Sequence, residues 1–427
     1  MDRLVVRGGI PLRGTVRAAG AKNAALPLLA ATLLVDGPSR LSRVPALKDV
    51  ETMLALLRAV GARVWREGDR VAVAAGGPLL PDTPDELVAS MRASFLVVGP
   101  LLARIGRVRA TLPGGCAIGA RPVDLHLRGL EALGARITLD RGWVQLEAKR
   151  LRGTTVYLDV PSVTTTENLM MAACLADGIT VIENAAREPE VTDLARFLGR
   201  MGAEIEGIGT GRLIIHGGRP LQPVEYEVMP DRIETGTFLM AAAATGGAVT
   251  VVDTEPSHLA AVILKLREAG CEVQEGPNWV RCIGVPRLRP VTVRTLPYPG
   301  FPTDLQAPMV AVLTRASGTS IVIETIFENR FLYVPELGRM GARIMVEERT
   351  AVVHGVPQLR GSHLHATDLR AGAALIIAAL SAEGDSEITG MHHVDRGYED
   401  FAGKLQALGA AVTRLDSARP LLRTTPF

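Results

Sequence analysis

The sequence predicts an α/β protein of two domains, each built from three copies of one unit around buried helices. Three observations carry this. At 427 residues the chain exceeds what one hydrophobic core usually organises, so two domains of roughly 200 residues are expected. A phrase of the form apolar-Gly-Ala-X-apolar recurs about every 70 residues, around Gly61, Gly134, Gly202, Gly270, Gly341 and Gly409, with Cys271 replacing the alanine in the fourth copy. Alternating with it is a second phrase: a small-residue apolar helix, a glycine turn and a strand.

Each glycine of the first phrase ends a stretch of helical periodicity, as in Leu54, Leu57 and Val60 or Leu194, Phe197, Leu198 and Met201, and leads into a β-branched run. A glycine there is the usual helix stop. The second phrase reads Ala24 to Val35, Ser94 to Arg104, Glu167 to Ala176, Thr235 to Thr245, Gln306 to Ala316 and Ala371 to Ala382. Helices apolar on nearly all sides belong inside a bundle. One unit is therefore a buried helix, a strand, an outer helix and one or two further strands. Three units per domain give a compact threefold arrangement rather than an open array. The hinge is expected near Val228-Met229-Pro230-Asp231. The first domain then covers 22–229 and carries the Cys116 loop, the second covers 1–21 plus 230–427, and the active site lies in the cleft between them.

Composition removes several function classes. Lys and Arg total 47 against 45 Asp and Glu, a net charge of +2, which provides no long-range field for nucleic acid. Aromatic residues make up 4%, too few for base-stacking platforms. Apolar content is 47%, but Gly, Pro or charges interrupt every apolar run before the roughly 20 residues a bilayer span requires. The opening Met1 to Gly8 has no secretory pattern, so a cytoplasmic protein without membrane insertion is expected. Cys174, Cys271 and Cys282 read as reduced structural thiols. No metal is expected, His392-His393 beside Asp395 being the nearest candidate. Phosphate-loop and dinucleotide fingerprints are absent, and no cofactor is expected.

The chemistry-bearing residues cluster where the buried helices begin. Lys22-Asn23 precede the first, Arg92 the second, and Thr165-Thr166-Glu167-Asn168 open the third. Asp231-Arg232-Ile233-Glu234 precede the fourth, Thr303-Asp304 the fifth and Thr367-Asp368-Leu369-Arg370 the sixth. Helix amino termini hold anions or accept acidic caps, and Thr166, Thr303 and Thr367 read as simple caps. Capping does not explain Lys22, Arg92, Arg121, Arg330, Arg370 and Arg396, which recur beside turns or helix starts in different units. Guanidinium forks match carboxylate and phosphate, so the pattern points to a small polyanion held between domains. Asp304 and Asp368 read as ion-pair partners or as a general base for a substrate hydroxyl. Cys116, in Gly114-Gly115-Cys116-Ala117-Ile118-Gly119-Ala120-Arg121-Pro122, is a lone thiol among three glycines, five residues before an arginine. Such a mobile backbone can bring an acid or nucleophile up to an anion.

At these residues the chain resembles the UDP-N-acetylglucosamine enolpyruvyltransferases over essentially its whole length. The resemblance rests on Gly20-Ala21-Lys22-Asn23-Ala24, Met91-Arg92-Ala93-Ser94, Leu112 to His126 through Cys116, and Glu183-Asn184-Ala185-Ala186-Arg187-Glu188-Pro189-Glu190. Pro230 to Thr237, Thr303-Asp304-Leu305-Gln306, Phe327 to Arg330, Asp368-Leu369-Arg370 and Asp395-Arg396-Gly397-Tyr398 complete it. Each segment alone is weak; together and in order they are specific.

The resemblance implies two inside-out α/β barrel domains of three pseudo-symmetric repeats each. It implies transfer of enolpyruvate from phosphoenolpyruvate to the 3′-hydroxyl of UDP-N-acetylglucosamine, with phosphate released, at the start of peptidoglycan precursor synthesis. Positions matching Lys22, Asn23, Arg121, Arg330, Arg370 and Arg396 would hold phosphoenolpyruvate. Those matching Arg92, Arg121, Pro122, Val123, Asp124, Leu125, Ser162, Val163, Thr164, Asp304 and Ile326 would hold the nucleotide sugar. Cys116 would protonate the methylene carbon and be the target of the epoxide fosfomycin; Asp304 would take the hydroxyl proton. One departure stands out: where the family commonly has Gly-Ala after Pro-Ser-Val, this chain has Thr164-Thr165, which disfavours any positive φ required there. The rival readings are the shikimate-pathway enolpyruvyltransferase, which the Cys116 loop and the Arg121 to Leu125 segment oppose, and a catalytically silent paralogue that binds the nucleotide sugar.

Overall fold

The computed structural model describes residues 2–112 and 123–415. Six central helices dominate it: α1 (Lys22–Ala31), α2 (Val98–Ile105), α3 (Val163–Cys174), α4 (Arg232–Thr245), α5 (Gln306–Leu313) and α6 (Leu369–Ser381). Short 3-10 turns lead into α2 (Arg92–Val97) and α5 (Thr303–Leu305). From Arg232 to Ala244 every residue of α4 is buried, which a sequence without a polar face makes affordable only at the centre of a domain. The helices α4, α5 and α6 pack on one another, and α2 packs on α3 and on the turn Thr32–Leu34 that extends α1.

Around each helix trio stand three sheets, one per unit. In the third unit Ile179–Glu183, just after α3, pairs antiparallel with Arg212–His216, which pairs antiparallel with Glu204–Glu206. On the other flank it pairs in parallel with Thr155–Tyr157. An outer helix, Pro189–Met201, precedes the hairpin. The glycines expected to stop the outer helices all adopt left-handed backbone: Gly61, Gly134, Gly202, Gly270, Gly341 and Gly409 have φ between 88° and 109°. Side chains with a Cβ rarely tolerate that region, which is why the residue recurs.

The sequence pattern predicts one or two strands after each outer helix; the structure adds a third strand or bridge in the first five units. It is short, parallel and handed to the sheet of another unit, so it carries little hydrophobic pattern of its own. The one donated by the first unit shrinks to a bridge, Asp82 with Arg109 of the second unit. These donations close two rings. Glu225–Glu227, at the end of the third unit, pairs with Pro38–Ser42 of the first. Arg13–Arg17 pairs with Ala248–Val252 of the fourth unit, and Arg3–Arg7 lies between Asp385–Thr389 and Ala411–Leu415 in the sixth.

Two separate hydrophobic cores follow. One runs from Ala21 to Met229; the other joins Leu4, Val6, Leu12, Val16 and Ala18 to residues from Ile233 to Val412. Two adjacent strands of chain cross between them. The Ala21 N–H donates to Met229 O at 2.8 Å and the Asp231 N–H to Ala19 O at 2.9 Å. Cys174, Cys271 and Cys282 are free and buried, and burial pushes the Cys174 thiol up to about 12. Among the described residues, no helix is long and apolar enough to cross a membrane.

Candidate active site

The amino-terminal ends of the central helices and their loops bring six charged groups together in two ion-pair clusters, Arg330–Asp304–Arg370 and Lys22–Asp49–Arg396, with Lys22 feeling the charges of Asp304 and Arg370. Lys22 is the first residue of α1, whose N-cap, Ala21, offers no side-chain acceptor. Asp304 sits in the 3-10 turn before α5 and Arg370 in the first turn of α6, where Asp368 caps the helix by accepting from the Arg370 and Ala371 N–H groups at 2.9 and 3.0 Å. The two oxygens of Asp304 accept separately from Arg330 Nη2 and Arg370 Nη2, both at 2.8 Å. Arg330 lies beyond a loop organised by Glu324, a buried acid that accepts from the Thr295 and Thr303 hydroxyls and from the Ile326 and Phe327 N–H groups. Arg396 reaches the same region through Asp49: Asp49 Oδ1 accepts from Arg396 Nε at 2.8 Å and Asp49 Oδ2 from Lys22 Nζ at 3.2 Å.

Positive charge exceeds negative here: Lys22, Arg330, Arg370 and Arg396 against Asp49 and Asp304. Burial alone would raise the Asp304 carboxyl, but Arg370, Arg330 and Lys22 reverse this and hold it far below the usual carboxylate range. Burial lowers Lys22, against the pull of Asp49 and Asp304 and with the push of Arg370. Arg330 and Arg370 are each 4% exposed, yet Arg330 Nε and Arg370 Nη1 meet no acceptor among the described residues. Buried donors of that kind are costly unless an acceptor arrives.

A second set lies on the first half. The turn that begins with Arg92 packs against α1. His126, 3% exposed, meets Thr164 Oγ1 at 3.2 Å through Nε2 and Asn168 Nδ2 at 3.1 Å through Nδ1. Burial, helped by the charge of Arg92, pulls His126 down to about 3, so it is neutral. Ser162 is the N-cap of α3, and Val163 and Thr164 form its first turn. Val123 is the N-cap of the helix Asp124–Ala132, which contains Leu125. Thr164 and Thr165 both avoid positive φ, so no glycine is required there and the substitution is accommodated within the helix.

Other expectations need correction. Thr166, Thr303 and Thr367 do not cap: Thr166 Oγ1 accepts from the Ala186 N–H, Thr303 donates to Glu324, and Thr367 Oγ1 is buried without a partner among the described residues. The acid Asp368 and the hydroxyl of Ser162 do that work, because both stand one residue before their helix. Of the two aspartates weighed as base, Asp368 is a cap and Asp304 alone faces the cations. Asp395, beside His392 and His393, is engaged by Arg414. Cys116, Arg121 and Pro122 lie outside the described residues. Sequence reading missed Asp49, which looks like an ordinary first-turn acid, and the buried pair of Arg232 with Glu190, at 2.9 and 3.1 Å, which joins the two halves.

Comparison with known proteins fits this geometry. The EPSP synthase (3-phosphoshikimate 1-carboxyvinyltransferase) family matches residues 6–405. A UDP-N-acetylglucosamine 1-carboxyvinyltransferase of Desulfatibacillum aliphaticivorans is 52% identical over 97% of this chain and all of its own length. A UDP-N-acetylglucosamine 1-carboxyvinyltransferase 2 of Carboxydothermus hydrogenoformans is 54% identical over 97% of this chain and 100% of its own. The chain belongs to the UDP-N-acetylglucosamine 1-carboxyvinyltransferase family. It is an enolpyruvyl transferase. Among solved structures, the enolpyruvyl transferase NikO from Streptomyces tendae superposes with a TM-score of 0.87 at 27% identity, covering 97% of this chain and 98% of that one. An EPSP synthase from Acinetobacter baumannii matches with a TM-score of 0.76 at 17% identity over 97% of this chain and 100% of its own, which speaks for the fold alone. The architecture is thus the two-domain enolpyruvyltransferase fold.

Proposed function

We propose that the protein transfers the enolpyruvyl group of phosphoenolpyruvate to the 3′-hydroxyl of UDP-N-acetylglucosamine and releases inorganic phosphate, opening peptidoglycan precursor synthesis. The observation that carries this reading is the buried excess of cations around Asp304, with two guanidinium N–H groups that meet no acceptor among the described residues. A compact trianion with a carboxylate and a phosphate supplies the charge and the acceptors such a cluster lacks. In this reading Lys22, Asn23, Arg121, Arg330, Arg370 and Arg396 hold phosphoenolpyruvate. The uncapped start of α1 adds backbone donors to the same anion.

The nucleotide sugar lies along Arg92, Arg121 to Leu125, Ser162 to Thr164, Asp304 and Ile326. Cys116 delivers a proton to the methylene carbon, positive charge develops on the neighbouring carbon, and the sugar hydroxyl adds there while its proton passes to Asp304. Loss of phosphate from the tetrahedral adduct, with the added methyl proton returning to the thiolate, restores the alkene. Asp304 acquires basicity only as the substrate anion draws Arg330 and Arg370 away from its oxygens, so proton acceptance is tied to occupancy. The bodies 22–229 and 1–21 plus 230–427 close on each other about the paired crossing strands, excluding water from the intermediate. Residence in the cytosol, where phosphoenolpyruvate is made, belongs to the same reading.

A phosphate-release assay on purified protein tests the proposal. Release that requires both phosphoenolpyruvate and UDP-N-acetylglucosamine, and is lost in Cys116→Ala, is expected. Release with shikimate 3-phosphate instead would transfer the chain to the shikimate-type activity, and nucleotide-sugar binding without release would make it a silent binder.

A further inference from the structure

We propose that Asp49 is a positioning residue that clasps the two halves of the cleft, one carboxylate oxygen holding Lys22 of the first half and the other Arg396 of the second. The identity of the anion those cations await rests on the functional reading above; the clasp itself rests on geometry. Asp49 is 6% exposed and Lys22 9%, and the two contacts measure 3.2 Å to Lys22 Nζ and 2.8 Å to Arg396 Nε. An acid in the first turn of a helix, here Lys48–Ala59, ordinarily serves that helix's own N–H groups. Both oxygens of Asp49 turn elsewhere. The backbone beside it makes the same crossing: the Ala46 N–H donates to the Glu399 carboxylate at 2.6 Å and the Lys48 N–H to Asp395 O at 3.4 Å. Segment 46–49 therefore meets segment 395–399 at three points, and of these only the Asp49 contact also holds Lys22.

The consequence is preorganisation. Lys22 and Arg396 are like charges that would separate in an empty cleft; a resident carboxylate between them keeps both in place before a ligand anion arrives. Lys22 is faced by Asp49 from the outer helix, by Arg370 from α6 and by Asp304 from the turn before α5, with Arg330 bound to Asp304 in turn. Burial lowers Lys22 and Asp49 is the foremost group opposing it. Without that carboxylate, Lys22 gives up its proton at lower pH, and anion binding fails earlier on the alkaline side.

The test uses full-length protein with Asp49→Asn, which keeps shape and removes charge, and Asp49→Glu as the charge-retaining control. We expect KM for phosphoenolpyruvate to rise at least about 10-fold and KM for UDP-N-acetylglucosamine to change less than about 3-fold. The alkaline limb of kcat/KM for phosphoenolpyruvate should move to lower pH in Asp49→Asn and return part of the way in Asp49→Glu. Small-angle scattering of the ligand-free chain should show a larger radius of gyration for Asp49→Asn than for wild type, a readout that needs no turnover. An unmoved alkaline limb, or both KM values rising together with a lowered melting temperature, would overturn the positioning role. An unchanged radius would overturn the clasp even if the parent protein released no phosphate, an outcome that by itself sinks only the enzymatic reading.

Discussion

Asp304 is an unpromising base as it stands, because an acid whose two oxygens each hold a guanidinium has little tendency to accept a proton. Its usefulness depends on those guanidiniums being recruited by something more anionic. Asp304→Asn keeps the size of the side chain but removes the acceptor, so turnover should fall at least about 100-fold while affinity for UDP-N-acetylglucosamine stays within a few-fold. Calorimetry and rate measurements that gave a large loss of affinity with unchanged turnover would remove Asp304 as the base. His126 allows a pH argument of fixed sign. Its folded value is about 3 against an ordinary value of 6.5, so below pH 6.5 the unfolded chain binds a proton that the folded chain refuses. Stability contributed by its neutral form is therefore lost as pH falls from about 6.5 towards 3. His126→Phe, which can keep the edge contact with Phe95 at 5.2 Å, should lower stability at pH 7 through the lost bonds to Thr164 and Asn168. It should also flatten the decline expected between pH 6.5 and 4 in urea titrations of wild type; an equally steep decline in both proteins would show that another group causes it.

The central helices approach so closely that glycine decides where they touch. A Cβ on Gly99 of α2 would stand 2.2 Å from Asn168 Oδ1 and 2.5 Å from Asn168 O of α3, and the Gly99 N–H donates to that same Oδ1 at 2.7 Å. A Cβ on Gly236 of α4 would meet Leu305 Cδ1 at 2.4 Å, the end of a side chain that can turn aside. Alanine gains up to about 1 kcal/mol of helix propensity at either site. At Gly99 overpacking against backbone should exceed that gain, for a net loss of about 2 kcal/mol, whereas Gly236→Ala should fall nearer zero. Equal shifts in the denaturation midpoints of the two variants would refute the distinction. The helices, the glycine stops and the threefold count were legible because each leaves a periodic apolar pattern. The donated strands were not: Thr155–Tyr157 and Glu225–Glu227 are three residues long, and their partners lie in other units. Lys22, Arg330, Arg370 and Arg396 were legible as cations repeated beside turns. Asp49 was not, nor was the pairing of Glu190 with Arg232, since an acid near a helix start has a mundane explanation until its neighbours across the cleft are known.

At the scale of the whole molecule the question is what makes two separately closed rings behave as one. Side-chain connections span them besides the crossing strands near Ala21 and Asp231, among them Arg43 Nη2 to Ala18 O and Asp253 O at 2.8 and 2.6 Å and the Ala46 N–H to Glu399. Asp49 is one; another is Arg232, 7% exposed, which gives two hydrogen bonds to Glu190, 3% exposed. Glu188 accepts from the Tyr298 N–H at 3.2 Å beside them. Burial, with Glu190 and Glu188 nearby, raises Glu167 well above the usual carboxylate range, so this corner already carries as much acid as it tolerates. Removing the guanidinium by Arg232→Met strands Glu190 without its partner, at a cost of about 3–5 kcal/mol for a broken buried pair. Glu190 recovers water if the halves part, so the loss should fall on their coupling rather than on either core. Calorimetric unfolding of Arg232→Met is expected to split into two transitions, one for each hydrophobic core, at a lower onset temperature than the parent. Adding Glu190→Leu removes the stranded charge, and the double variant should regain most of the onset, since an apolar pair can replace a buried ion pair at little cost. One transition at an unshifted temperature in Arg232→Met would mean that the crossing strands and the remaining contacts suffice to join the halves.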